Sequence, residues 1–232
     1  MKKTTLSELQ GDRNPGFWSA LITLAIIIWY LVAFGLYQPI LHAPWNGIEP
    51  YVASFKPAPF FSWIIPCFLL TISYLVLIVC VYHVSCGENK IWSLLTLIFA
   101  IAYSIISSTN YYIQMTVVEY NVAHKSLEGL SLLLFAHPYP HSIPGALEGI
   151  GYGFMSLSFL SAAFIFRKKN NERWLRWSFT GAGLTGIFVF TDPIYSLPLK
   201  IIIVIAIANG VFLLLSMTFL SIWFKSGRFK VE

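Results

Sequence analysis

The chain has 232 residues, of which 57% are hydrophobic and only 11% are charged, and its mean hydropathy is +0.71. A soluble domain carries about 25% charged residues, so too little polar surface is present to cover a water-soluble globule. The net charge of +5 does not signal nucleic acid, because the basic residues sit at the ends of apolar runs rather than on one soluble module.

The first sixteen residues, MKKTTLSELQGDRNPG, are polar, and Phe17 begins an apolar run of spanning length. The bulky FGLYQPILHAPW that ends this run holds no small-residue cleavage site, so a retained first helix is expected. About 20 apolar residues cross a bilayer as a helix. On that scale six spans are expected: Phe17–Tyr37, Phe60–Val81, Ile91–Val118, Ile143–Phe166, Trp174–Phe190 and Leu197–Phe224. The third is longer than a bilayer needs, and the fifth is the shortest and contains TGAGLTG. The expected class is therefore all-α: a polytopic integral membrane helical bundle of six transmembrane helices. Residues 1–16 form an N-terminal segment, 17–224 the bundle and 225–232 a tail.

Charge sets the orientation. With both termini cytoplasmic, the inner segments hold Lys2, Lys3, Arg13, Lys90, Arg167, Lys168, Lys169, Arg173, Arg176, Lys225, Arg228 and Lys230. The outer segments hold Lys56, Lys125 and Lys200. This 12-to-3 bias matches the positive-inside rule for a multi-pass protein of the cell membrane. Five spans would put KSGRFK outside and spoil it. The outer loops are then QPILHAPWNGIEPYVASFKPAP, a long one around HKSLEGLSLLLFAHPYPHS, and the turn TDPIYSLP, all punctuated by proline or glycine. LEGLSLLLFA is too short to span and reads as an interfacial helix rather than the alternative, a small plug.

Polar groups gather toward the outer ends. Asn110 and Gln114 lie four residues apart and share one helix face, which Ser107 and Tyr111 extend. Such a stripe points at protein or water rather than lipid. In PGALEGIGYGFMSLSF, Glu148 and Tyr152 repeat the spacing, and Gly145, Gly149 and Gly153 form a ridge that lets a neighbouring helix approach. An unpaired buried carboxylate is costly, and Asn110, Tyr111 and Gln114 are the expected donors to Glu148. The candidate ligand-binding residues are therefore Asn110, Tyr111, Gln114, Glu148 and Tyr152. The structural alternative is that these groups only lock helices together. Asn209 reads as a helix-to-helix hydrogen bond, Asp192 as a turn former, Tyr37 and Gln38 as the outer close of the first helix, and Ser156, Ser158 and Ser161 as hydroxyls bonded back to their own helix.

His124, His137 and His141 share the long outer loop, but the prolines of HPYPH forbid the one-face geometry of a helical zinc motif, and no metal is expected. Cys67, Cys80 and Cys86 are an odd set without a CxxC pair and read as small buried residues. No nucleotide, cofactor or nucleophile fingerprint occurs, so no cofactor is expected.

The stretches NYYIQMTVV and ALEGIGYGFMSLSFLSAAFIF resemble a set of small polytopic prokaryotic membrane proteins of unknown function, in which an Asn-Tyr-x-x-Gln helix precedes a Glu-Gly-x-Gly-Tyr helix. The resemblance implies that Asn110, Gln114, Glu148 and Tyr152 act as a unit and transfers no function. Three classes follow. One is a protein binding or transporting a small or amphipathic ligand through an outward-facing polar cavity. Another is a membrane-embedded enzyme on a lipid or isoprenoid-like substrate, with Glu148 as acid or base and a loop histidine assisting. The last is a structural or accessory subunit. The expected partners are the lipid bilayer and a small-molecule or lipid ligand, without nucleic acid and with room for a homo-oligomer.

Overall fold

A computed structural model describes residues 6–41, 48–85, 89–126, 142–166, 172–195 and 199–226, and within these the side chains of 6–13, 38–41, 189–195, 199 and 202 are outside the description. The described residues are all-helical. The helices are α1 (Leu6–Leu41), α2 (Ile48–Ser54), α3 (Pro57–Val84), α4 (Lys90–Ile113), α5 (Glu119–Ala123), α6 (Ile143–Ala163), α7 (Glu172–Tyr195) and α8 (Leu199–Ser226). A single π-turn, Gln114–Val118, joins α4 to α5 without a break in the helical path.

Among the described residues four stretches are long and apolar enough to cross a membrane: Asn14–Tyr37, Pro57–Val84, Lys90–Ala123 and Ile203–Ser226. The protein thus has the character of a multi-pass membrane helical protein. α6 is long enough at 21 residues, but its glycines, serines and Glu148 lower its apolarity.

Local chemistry sets the helix ends. Lys56 is extended and Pro57 opens α3, where a missing N–H costs nothing. Ser142 caps α6, its hydroxyl accepting from the Gly145 amide at 3.1 Å. At the end of α3, Lys90 Nζ donates to the carbonyls of Tyr82 (3.0 Å) and Ser85 (3.4 Å), placing a cation on the negative helix terminus. α5 ends in a Schellman turn: Ser126 N–H bonds Asn121 O at 2.9 Å, Lys125 N–H bonds Val122 O at 3.1 Å, and Lys125 has φ 54°.

Several expected boundaries move. α1 begins at Leu6 and runs to Leu41, past both expected ends of the first span. α7 continues through Asp192 and Pro193 to Tyr195, so Asp192 is helical rather than part of a turn. The segment expected as the first outer loop contains α2. LEGLSLLLFA, His137, His141, Cys86 and the side chains of Gln38 and Asp192 lie outside the description.

The long helices form a closed ring. α1 packs on α3, α3 on α4, α4 on α6, α6 on α7, α7 on α8, and α8 returns to α1. Neighbours run antiparallel. Ser19 of α1 reaches Cys80 near the end of α3, and Gly16 and Leu31 of α1 meet Phe224 and Gly210 of α8 in reverse order. Helices pack about 8–10 Å apart, so a ring of six leaves a wide axis. Aromatic side chains fill it at one end: Tyr74, Tyr103, Phe159, Phe166, Phe179 and Phe224 are all fully buried. Every long helix contributes to this core.

Candidate functional site

The opposite end of the ring is more polar. On α4 the face Ser107, Asn110, Tyr111 and Gln114 is buried, each residue at 2% exposure or less, whereas Tyr112 between them is 58% exposed. The stripe read from helical spacing therefore faces the bundle, and α6 covers it. Ser107 is the residue a Cβ added at Gly151 would strike, so glycine at 151 sets the close approach of the two helices. Gly149 is buried and Gly153 half-buried.

The five candidate residues divide into two groups. Asn110 Nδ2 donates across the interface to the Pro144 carbonyl at 3.1 Å, and Gln114 Nε2 donates to Asn110 Oδ1 at 3.2 Å. This pair braces the first turn of α6. Deeper in the bundle, the Tyr111 hydroxyl donates to Glu148 Oε1 at 3.3 Å and lies 3.4 Å from the Tyr152 hydroxyl. The structure thus brings Tyr111, Glu148 and Tyr152 together, with the amide pair one turn outward beside them.

Two further helices complete the surroundings. Cys67 of α3 is buried in one apolar cluster with Tyr111. Tyr30 of α1 packs on the cluster of Phe60, Trp63, Ile64, Cys67 and Tyr111. Trp63 meets Tyr111 edge-on at 6.5 Å between centroids, 85° between planes. Pro66, inside α3, denies the Ser62 carbonyl its usual helical donor in this same segment. Tyr30, Trp63 and Cys67 escaped the sequence reading because aromatic and small residues on an apolar helix look like ordinary core.

The π-turn begins at Gln114, where the brace ends. Glu119 N–H returns to Gln114 O, five residues back. The extra residue re-aims the outer part of the helix so that Val118 and Val122 meet Ile48, Tyr51, Val52 and Phe55 of the α2 segment. Phe55 then contacts Phe60, and Phe60 contacts Trp63, at 5.4 and 6.1 Å between ring centroids. An aromatic column therefore runs from α2 to Tyr111. Tyr51 is buried enough in this outer packing that its phenol is pushed up to about 12.

Other polar expectations resolve individually. Asn209 bonds α7 through the Ala182 carbonyl (3.1 Å) and Thr185 Oγ1 (2.9 Å), a helix-to-helix contact as read from its position. Ser156 bonds back to Tyr152 O at 2.7 Å. Ser158 does not bond its own helix: it donates to Thr96 O on α4 at 2.9 Å and accepts from Tyr74 on α3 at 2.8 Å, because its side chain points at the meeting of three helices. His124 bonds Tyr120 O at 2.7 Å and stacks on that ring at 4.2 Å, which gives it a local role at the helix end. Among the described residues no group of three metal-ligating side chains converges.

The chain matches no protein-family profile, no curated protein and no solved structure. Its chemistry is read from its own residues.

Proposed function

We propose that the chain crosses the membrane six times with both termini in the cytoplasm, and that the outer half of the ring binds or transports a small or amphipathic ligand at Glu148. The antiparallel order places the ends bearing Lys90, Arg173, Arg176 and Lys225 at the core-filled end of the ring. The positive-inside rule makes that end cytoplasmic and the Glu148 end outer.

The observation that carries the reading is the half-buried Glu148 carboxylate held by the Tyr111 hydroxyl, beside Tyr152, inside a ring of helices. An ionisable group inside a membrane bundle is costly and marks a ligand or ion site by default. Phenol hydroxyls supply donors and acceptors, and their rings favour cationic heads. Asn110 and Gln114 form the outer wall and hold α6 in place.

Thermal unfolding of the detergent-solubilised protein with n-butylamine, n-butanol and sodium butyrate tests the site. The amine or the alcohol raises Tm for the native chain and leaves Glu148→Gln unchanged. Equal shifts in both proteins, or none for any probe, sink the reading.

A further inference from the structure

Outward of Asn209 and Gly210 the wall of the ring changes. Asn209 ties α8 to α7, and at Gly210 an added Cβ would lie 3.4 Å from Leu31 Cδ2 of α1. These contacts hold α8 between its neighbours at mid-height. Beyond them, all the described side chains from Lys200 to Ile207 except Ile205 are exposed, with Val204 at 66% and Ile207 at 63%. At about 100° per residue these positions point right round the helix, whereas a helix packed in a ring buries one face. The inner half of α8 does so at Met217, Leu220 and Phe224.

α1 shows the matching feature. Gly35 lies one turn outward from Leu31, on the same face of the helix. A Cβ built on Gly35 meets nothing within 4 Å. The antiparallel pairs Gly16 with Phe224 and Leu31 with Gly210 put Gly35 at the height of Ala206, which is exposed. Both lips of the gap are small residues. Tyr30, adjacent in sequence to Leu31, packs on the Trp63–Cys67–Tyr111 cluster, and Tyr111 in turn holds Glu148.

We propose that α1 and α8 part in the outer leaflet as a side entrance from the lipid, and that the ligand is a single-chain amphiphile with an amine or hydroxyl head. The proposal rests on the site reading above. The head reaches Glu148 past Tyr30, while the alkyl chain stays between Gly35 and Ala206, in contact with apolar side chains and lipid. A water-borne ligand needs no apolar gap in the wall. A lipid-dissolved one needs an entrance at membrane depth and a polar group at its inner end, and the fold provides both.

The test uses the full chain in lipid nanodiscs with a nitroxide-labelled dodecylamine, whose immobilised fraction is read by electron paramagnetic resonance. The native protein immobilises the probe, and Glu148→Gln abolishes this. Gly35→Trp or Ala206→Trp, each filling the gap from one lip, lowers the immobilised fraction or slows its appearance at least ten-fold. Both leave the Tm shift by n-butylamine intact. Should one tryptophan variant fail to fold, the other carries the test. Immobilisation sensitive to Glu148→Gln but not to a folded tryptophan variant overturns the side entrance and leaves the site standing. A butylamine response without dodecylamine binding does the same. Binding indifferent to Glu148→Gln overturns the site itself.

Discussion

Replacing Asn110 by leucine separates the brace from the proposed binding site. Asn110 and Gln114 are each 1% exposed. The substitution removes two hydrogen bonds, one to Pro144 O and one from Gln114 Nε2. Hydrogen bonds between membrane helices contribute about 0.6 kcal/mol on average, so losing the one to Pro144 O costs about that much. The Gln114 amide is then left buried without its acceptor, a penalty of about 1–3 kcal/mol. Asn110→Leu should therefore destabilise by roughly 2–4 kcal/mol on these values. Adding Gln114→Leu removes the orphaned amide and places apolar atoms against apolar atoms. The double variant should then be more stable than Asn110→Leu alone by about 1 kcal/mol or more.

Unfolding of the purified protein by SDS titration in mixed micelles measures all four species of this cycle. The brace predicts a coupling energy of at least about 1 kcal/mol between the two positions. It also predicts that the double variant keeps its n-butylamine response, since Glu148 and Tyr111 are untouched. Strictly additive effects would refute the Asn110–Gln114 bond as a structural unit. Loss of the amine response in a folded double variant would instead assign the amides to the ligand.

Other outcomes follow from single contacts. Gly183→Ala should cost about 1–3 kcal/mol by overpacking, because its Cβ would lie 2.9 Å from the Ser156 carbonyl oxygen and 2.6 Å from Leu160 Cγ, whereas Gly35→Ala should be neutral or stabilising in the same SDS titration. Tyr51, raised to about 12 by burial, stabilises the α2 packing fully below pH 10, and this contribution is lost as pH rises through 12. The difference in alkaline absorbance titration between the native chain and Tyr51→Phe should therefore show a phenol ionising near 12, and a difference centred at 10 would contradict the burial. Lys125→Gly should raise stability by about 1 kcal/mol, since lysine holds a left-handed conformation there. With both termini inside, a cysteine at Ser226 should label only after the membrane is permeabilised, and labelling in intact cells would overturn the orientation.

Much of this arrangement was legible from spacing. Apolar runs give helices because only helices satisfy their backbone in lipid, and the four-residue repeats at Asn110–Gln114 and Glu148–Tyr152 marked two faces that do meet. What spacing could not supply was the partner across a gap. Tyr30 and Cys67 sit on helices whose aromatic and small residues carry no periodic signal distinct from core. The glycine ridge Gly145–Gly149–Gly153 drew attention by its regularity, yet the contact with Ser107 runs through Gly151, which shares the Glu148 face. α2 was hidden because seven residues hold too few turns to show a period, and its proline and glutamate read as loop. The π-turn at Gln114 carries no composition signal, since QMTVV is ordinary helix.

The two ends of the ring have opposite physical characters, and this asymmetry bears on mechanism. At the inner end six helices converge on fully buried aromatic rings, and a bulky solute crossing there would have to displace Phe159, Phe179 and Phe224 together. Close-packed cores resist such displacement because each side chain is locked by its neighbours. At the Glu148 end two hydrogen bonds join α4 to α6 near a half-buried carboxylate, α2, α3 and α4 share an apolar cluster, and α8 stands clear of the wall. Elements with few buried contacts open at the lowest cost. On the proposed function, motion that serves ligand entry would involve α8 beyond the fixed level of Leu31, Gly210 and Asn209. Release toward the cytoplasm would require the hydroxyl line Tyr111–Tyr152 to be extended past Tyr103 and Tyr74. That line ends at Ser158, whose hydroxyl is already bonded to both Tyr74 and Thr96 O. On this geometry a protein that binds and releases on one side of the membrane fits the fold with fewer broken contacts than one that passes its ligand through.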